Sequence, residues 1–580
     1  MQENLLHKLG IGIAGLLWLV ATADGSAADP QDQVVRLKHE LLALATSVGP
    51  PTEKSPEAPP QPVQTILASG DWDFSLEFAT KIGNEQSRAN ALIAILSKAS
   101  ELRDQNRAHT VLDRIANAAG EIGNDAARAR VLSDCAAAAA RLGDAARARD
   151  LLARALHSAS GISDDASKAR VLATLAETAA KLNDAEQAHA LLRQALNAAG
   201  GITDDATKAL VLTRLAAASA KLGDIAHGRG LLVHAVQAVD KMGDDLAKAA
   251  VLGVVAQGAT KLGDPAQGRA VLDSIIAATD NIGSDLGKAR VLASVSGAAT
   301  ELGDPAQGRA VLAEVLKTAN KISADFTKVR WLLVWLVEAE VKVGNAAQAR
   351  DLAEQALRTA DIVDTDFARI RVLESVAGAA AKLSDPAQAR ALLNRVLQET
   401  NKVADASLRP RVLISVAQAA GKLGDPAQGR ALLEDVIATA ETGRGEAELA
   451  ALFLTLAETA AKLGETARAQ ALLSRAAKET AGINAEPAKA HAEVALAETA
   501  LQVGDRAQAE AALETVAAMR QRFGAKAVAD PDLVRAVAVA ASLDQWQWAT
   551  SMTDTLSTDN AKLDALSRIF AASASRAESR

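Results

Sequence analysis

The sequence repeats itself every 40 residues. "KLGDPAQGRAVL" at 261–272 returns as "ELGDPAQGRAVL" at 301–312. The polar residue after the glycine of this motif recurs at steps of 40 residues, with one step of 41 between Asp304 and Asn345. A fixed period of this length predicts a solenoid, in which each unit buries its apolar face only against its neighbours. The positions are Asp104, Asp144, Asp184, Asp224, Asp264, Asp304, Asn345, Asp385, Asp425, Glu465 and Asp505.

Each repeat is predicted to be two helices joined at the Leu-Gly-Asp motif. Gly263 suits the left-handed conformation that ends a helix, and Asp264 can accept hydrogen bonds from the first free N–H groups of the next. Pro265 fits the first helical position, and Gln267 is placed to complete a capping box. We call the helix before this turn the first helix of a repeat and the helix after it the second helix.

Composition supports an all-helical chain. Hydrophobic residues make up 49% of the 580 residues and aromatic residues only 2%, so the apolar content is mostly Ala, Leu and Val. Ala and Leu are strong helix formers. The fourth residue after the turn is always Ala or Gly, as at Ala188 and Gly268, and a small side chain there allows two helices to cross closely.

The segment "VLATLAETAAKLNDAEQAHALLRQAL", residues 171–196, resembles a tetratricopeptide repeat. It has a small residue in the first helix (Ala176), Asn-Asp at the turn, Ala188 four residues later and Leu192 in the family's large apolar position. The period is longer than the family's usual length of about 34 residues. The resemblance implies a right-handed α-solenoid of about eleven helix-turn-helix repeats plus partial capping repeats. We assign the solenoid to residues 63–517 and a C-terminal capping repeat to 518–580.

The N-terminal 62 residues are expected to form separate segments. Lys8 precedes the apolar run "LGIGIAGLLWLVATA", which is the layout of a signal peptide, residues 1–23, with cleavage after Ala23 or after Ala27. An uncleaved anchor is the alternative. The expected location is therefore periplasmic or secreted, without stable membrane insertion once the signal is removed. Residues 24–62 would comprise a helix and a Pro-rich linker, and this helix would dock on the array, pair with another copy or stay mobile.

No motif in the sequence supports catalysis, so we predict neither a catalytic residue nor a metal or cofactor site. A single cysteine, Cys135, excludes an intramolecular disulfide framework. The net charge of −8 comes from acidic and basic residues spread along the chain, which argues against nucleic-acid binding.

An arginine recurs fourteen residues before the turn in several repeats. In the family that the chain resembles, this position of the first helix faces the groove where peptides bind. The repeated guanidinium groups would offer forked donors to an acidic segment or a C-terminal carboxylate. The alternative is that each arginine pairs with an acid of an adjacent repeat. The residues are Arg130, Arg170, Arg290, Arg371 and Arg411, with Arg330 at the equivalent place.

One repeat departs from the pattern. It holds Trp331 and Trp335 at i, i+4 and carries the extra residue of the 41-residue step. An insertion within a helix must be absorbed by a bulge or a register shift, and such bulges often lie at functional sites. The two tryptophans therefore join the candidate peptide-binding residues, with core packing as the alternative.

These features favour an exported, non-enzymatic scaffold that binds a protein or peptide partner in the groove of a tetratricopeptide-like solenoid. A structural or self-associating envelope component is the main alternative. A cell-wall enzyme that uses the solenoid as a frame is the third candidate.

Overall fold

A computed structural model describes residues 30–50, 60–99, 101, 104–182, 184–319, 350, 353–354, 357, 365–383, 385–405, 407–439 and 445–577. Helices account for the regular structure of these residues, and no strand occurs among them, which confirms the predicted all-α class. Three short 3-10 turns accompany the α-helices. The α-helices are α1 Pro30–Leu44, α2 Gln61–Ala68, α3 Trp72–Lys81, α4 Glu85–Ala99, α5 Gln105–Gly120, α6 Asp125–Arg141, α7 Ala145–Ser160, α8 Asp165–Lys181, α9 Ala185–Gly201, α10 Asp205–Lys221, α11 Ile225–Asp240, α12 Asp245–Thr260, α13 Pro265–Ala278, α14 Asp285–Glu301, α15 Pro305–Ala319, α16 Asp366–Ala380, α17 Pro386–Asn401, α18 Arg409–Lys422, α19 Pro426–Thr439, α20 Glu446–Lys462, α21 Thr466–Gly482, α22 Glu486–Val503, α23 Arg506–Phe523, α24 Asp530–Ser542, α25 Trp546–Thr553 and α26 Asp559–Ala577.

The turn chemistry is as predicted. Gly263 has φ +76°, in the left-handed region, between α12 and α13. Asp264 caps α13, because its carboxylate oxygen Oδ1 accepts hydrogen bonds from the N–H groups of Ala266 at 2.8 Å and Gln267 at 3.2 Å. Asp184, Asp224 and Asp385 cap α9, α11 and α17 in the same way. The repeats stack as a tetratricopeptide-like array of helix hairpins.

The predicted capping box is wrong. Gln267 Oε1, which would accept from the Asp264 N–H in a capping box, is buried without a hydrogen-bond partner among the described residues. In the next repeat, the N–H of Asp304 donates instead to the Ala299 carbonyl at 3.0 Å. Gln307, which corresponds to Gln267, donates from Nε2 to Asp273 on the preceding second helix at 3.0 Å. Gln307 therefore links adjacent repeats, as Gln428 does by donating to Asn394 at 3.2 Å.

Asp264→Ala should lower the free energy of unfolding by about 1 kcal/mol, because it leaves two N–H groups of α13 without their acceptor. Local opening of α13, followed by hydrogen exchange, measures the loss. Glu465→Ala is a matched control, since Glu465 stands at the same position but its side chain makes no cap hydrogen bond. Equal protection of α13 in wild-type and Asp264→Ala protein would contradict the cap assignment.

The small residue in the second helix is required by backbone proximity. A Cβ atom added at Gly268 would lie 2.9 Å from the carbonyl oxygen of Ala259 on α12. Ala188, the equivalent residue of α9, is fully buried. The two helices of a repeat therefore cross as closely as the sequence predicts.

The chain divides into two compact units. One runs from Ala99 to Ala512, and the other combines the residues up to Lys98 with those from Leu513 onward. In the second of these units, α1 packs against α26 and α3, and α26 also contacts α24 and α2. Of the three placements open to the N-terminal helix, the structure shows docking, and the contact is with the C-terminal helix.

The α1–α26 pair is built like an ordinary repeat, with α26 as its first helix and α1 as its second. In an ordinary part of the array, a first helix contacts the first helix of the next repeat. Here α26 contacts α24 on one side and α2 on the other, and α1 contacts α3, the second helix of the next repeat. The buried residues of α1 and its C-terminal turn have the spacing of those in α7: Leu37, Leu41, Ala45 and Val48 correspond to Leu151, Ala155, Ala159 and Ile162. We call the α26–α1 pair the composite repeat.

A buried arginine links three segments in the C-terminal part of this unit. Arg520, 5% exposed, donates from Nη1 to the carbonyl of Val528 at 2.6 Å and forms an ion pair with Asp530 at 3.2 Å. Its guanidinium also contacts the side chain and the carbonyl of Thr555. The donors of this buried cation are thus satisfied by the segments that flank α24 and α25, which meets the condition for burying a charge.

Candidate protein-binding face

The first helices α8, α10, α12 and α14 begin at equivalent residues, and this aligns their exposed positions. Asp164 caps α8 through the N–H of Ser167 at 2.7 Å, and Asp204 caps α10 through the N–H of Thr207 at 2.8 Å. Hydrogen bonds from the Ser167 and Thr207 side chains, with these backbone bonds, lower the pKa of the two capping carboxyl groups. The caps therefore stay ionised and hold the helix starts in register.

A second carboxylate ties one repeat to the next. Asp245, the first residue of α12, accepts a hydrogen bond from the N–H of Ser284, which caps α14, at 2.8 Å. Asp366 accepts one from the N–H of Asp405 at 2.6 Å. The acidic pairs that open first helices are thus structural.

The structure places four of the predicted arginines at the sixth position of their first helices and Arg411 at the third position of α18, which begins at Arg409. Arg170 on α8 and Arg290 on α14 are exposed, as is Arg411 on α18, whereas Arg130 on α6 and Arg371 on α16 are half-buried. Arg330, Trp331 and Trp335 lie outside the described residues.

Two of these arginines share one acid. The side chain of Glu374 on α16 accepts from Arg371 Nη1 at 3.3 Å and, across the repeat boundary, from Arg411 Nε at 2.9 Å. The Arg411 guanidinium carbon also lies 5.9 Å from the ring centroid of Phe367. Arg411 thus has the inter-repeat pairing that the sequence left open as an alternative, whereas Arg371 pairs within its own helix.

The first helices α8, α10, α12 and α14 present a different surface. Their second, sixth and tenth residues lie one turn apart on one face of each helix. None of these positions carries a carboxylate, and the three charged side chains among them, Arg170, Arg214 and Arg290, are all exposed. We call this surface the basic face: Ala166, Arg170, Thr174, Ala206, Leu210, Arg214, Leu246, Ala250, Val254, Leu286, Arg290 and Ser294.

Large apolar side chains stand in the middle of the basic face. Leu210 is 42% exposed, Leu246 48% and Val254 46%. Sequence reasoning missed these residues and Arg214. The signal was present, because Leu210 and Ala250 occupy the positions at which the arginine series is interrupted.

A cleft of about 400 Å³ between α5, α6 and α7 contains Arg128 and Arg154. Arg128 donates to the Ile122 carbonyl at 2.7 Å and to Ser158 Oγ at 3.0 Å, and Arg154 donates to the Ala116 carbonyl at 3.0 Å. These cations hold the connections between helices, so we assign the cleft a structural role.

In the part of the chain that the structure describes, no three His, Cys, Asp or Glu side chains are grouped as a metal site would require. Cys135 is fully buried, and burial raises the pKa of its thiol well above the ordinary value. No helix among the described residues combines the length and apolar character needed to cross a membrane.

Neither a protein-family profile nor a curated protein matches the sequence. Among solved structures, the chain is similar to Ton1535 from Thermococcus onnurineus NA1, with 14% identity over 64% of this chain and 98% of that one, at a TM-score of 0.30. It is similar to PH0952 from Pyrococcus horikoshii, a signal transduction ATPase with a tetratricopeptide repeat sensor, with 13% identity, coverage of 69% and 62%, and a TM-score of 0.23. It is also similar to the apo quorum sensor NprR from B. thuringiensis, with 11% identity, coverage of 60% and 98%, and a TM-score of 0.21.

Proposed function

We propose that this protein is an exported, non-enzymatic scaffold that binds an acidic segment or C-terminal carboxylate of a protein partner on its first helices. The observation that carries the proposal is the basic face of α8 to α14, which combines three exposed arginines with the absence of any carboxylate at its twelve positions. Arginine binds carboxylates with two parallel hydrogen bonds, so a row of them recognises acidic chains with defined geometry.

The exposed arginines of the basic face are expected to contribute little to the stability of the fold. Surface ion pairs contribute only about 0–1 kcal/mol, and the hydrogen bond that Arg170 Nη2 donates to Ser167 Oγ at 3.3 Å stays within one turn of its own helix. Where the chain needs an arginine for structure it surrounds it with acceptors, as at Arg520. The contrast supports a role in binding for the basic face.

Export is supported by the N-terminal sequence alone, in which a basic residue precedes an apolar run and small residues follow. N-terminal sequencing of the protein from its native host tests this part. A chain beginning at residue 24 or 28 is the expected result, and a retained Met1 would contradict it.

The main alternative is a self-associating envelope component, in which the N-terminal helices of two copies would pair. Here α1 is engaged by α26 of the same chain, which weakens that reason. Light scattering of the protein with and without residues 24–62 should give a monomeric mass for the full chain, and a dimer that dissociates on removal of these residues would favour self-association.

Arg170→Glu combined with Arg290→Glu should abolish capture of the partner, because repulsion replaces attraction at two points of the basic face. The measurement is affinity capture from an envelope extract followed by mass spectrometry, with circular dichroism to verify helicity. Arg269→Glu with Arg390→Glu is the control of equal charge, since these arginines lie on second helices near Asp304 and Asp425. Unaltered capture by the first variant, or equal loss by the control, would refute the proposed function.

A further inference from the structure

The apolar side chains of the basic face form one patch. Six large hydrophobic residues are exposed in the described residues, and three of them, Leu210, Leu246 and Val254, lie on the adjacent helices α10 and α12. Leu246, Ala250 and Val254 follow one another at i, i+4 and i+8, and Leu210 stands at the position of α10 that corresponds to Ala250. Clustering of exposed apolar residues inside a polar rim is typical of a binding surface.

The array does not need these side chains for packing. At the position of Leu246 the repeats have alanine in Ala126, Ala166 and Ala206 and a large apolar residue in Leu286 and Phe367, and at the position of Leu210 alanine is found in Ala250 and Ala451. Small hydroxyl residues take the place of Val254 in most other repeats: Thr174, Ser294, Ser375, Ser415 and Thr455. Phe367 on α16 is a further large exposed residue at the position of Leu246, but among the described residues only α10 and α12 place such side chains on adjacent first helices.

Charge defines what kind of segment fits the patch. Arg170 on α8 lies one helix to one side of it, Arg290 on α14 lies one helix to the other, and Arg214 lies on α10 beside Leu210. Packed helices are about 8–10 Å apart, so three steps from α8 to α14 cover roughly 24–30 Å. An extended chain covers that distance in about 7–9 residues.

We propose that the basic face binds an extended peptide segment of about eight residues, with a carboxylate near each end and apolar side chains between them. The end carboxylates pair with Arg170 and Arg290, and the central side chains cover Leu210, Leu246 and Val254. This inference rests on the proposed function and names the class of partner for the same surface.

The test uses a fluorescent peptide of about nine residues with Glu at both ends, two Leu in the centre and Ser elsewhere. Its binding to the full chain is followed by fluorescence anisotropy, beside two control peptides, one with Ser in place of Leu and one with Lys in place of Glu. The protein variant is Leu210→Ala, Leu246→Ala, Val254→Ser, which places at each position a residue that the array tolerates elsewhere. Phe367→Ser is the matched control, because Phe367 is an exposed apolar residue, 56% exposed, on α16 outside the basic face.

We expect the two-Leu peptide to bind at least tenfold more tightly than the Ser peptide, and the triple variant to lose that advantage, as burial of two apolar side chains implies. Phe367→Ser should bind as the wild type does. Equal binding of the two acidic peptides, or an unaffected triple variant, would overturn the inference. If the peptide results overturn the inference but Arg170→Glu with Arg290→Glu still abolishes capture of the partner, the proposed function is retained and only the class of peptide is wrong.

Discussion

Leu41→Asp should detach α1 from α26 and expose the C-terminal helix to hydrogen exchange. Leu41 is fully buried in the composite repeat, so the substitution removes a core side chain and places a carboxylate in its position. Loss of a buried leucine alone costs about 2–5 kcal/mol, and an unpaired buried charge adds to that cost. Because a repeat array is stabilised by contacts between neighbours, the loss should be concentrated where α1 packs.

Hydrogen exchange of peptides from residues 559–577 measures this effect, and we expect roughly 100-fold faster exchange or more, since each 1.4 kcal/mol is about tenfold. Peptides from α10, in the other compact unit, serve as an internal reference. Ala43→Asp is the control variant, because Ala43 lies on the same helix but is exposed. If α26 exchanges equally in the wild type and in Leu41→Asp, α1 does not act as the second helix of the composite repeat.

Glu493→Leu should stabilise α22, and by more at pH 8 than at pH 5. Glu493 is 7% exposed and stands where the other repeats have an apolar core residue, such as Leu172, Leu212 or Phe453. Burial raises its pKa to about 7 from the ordinary 4.5, although Lys489 acts in the opposite direction. Between these two pH values the folded chain keeps a proton that the unfolded chain has lost, so stability falls as the pH rises from about 4.5 to about 7.

Above pH 7, ionisation of Glu493 lowers the free energy of unfolding by about 3 kcal/mol relative to its value at acid pH. Leucine has no proton to lose, so protection of α22 in the variant should exceed that of the wild type by up to roughly 100-fold at pH 8 and by much less near pH 5. Glu493→Gln, which cannot ionise either, should remove the same pH dependence. Glu498→Leu, at a half-exposed position of the same helix, should change stability by less than about 0.5 kcal/mol. A difference between Glu493→Leu and wild type that does not vary with pH would exclude this explanation.

Part of the candidate site could be predicted from the sequence. The arginine series follows from the repeat period, and Arg170 and Arg290 are exposed as a binding role requires. The sequence could not show that Glu374 engages Arg371 and Arg411, because Glu374 and Arg411 are 37 residues apart and meet only when two repeats stack. The repeat period did not predict Arg214 or the apolar patch, because these residues differ from those at the same position in most other repeats.

The sequence by itself determined where the helices begin and end and how they repeat. Those features depend on local interactions, such as the left-handed Gly263 and the carboxylate of Asp264, which act within a few residues. The tertiary structure alone decided that α1 completes a repeat with α26, and that Arg371 and Arg411 share Glu374. These outcomes depend on contacts between residues far apart along the chain, and Lys38 lies 5.9 Å from the ring centroid of Phe570 only because the two ends pack together. Hydrogen bonds within a turn can be inferred from the spacing of residues along the sequence, whereas the surface against which a helix packs depends on the complete tertiary structure.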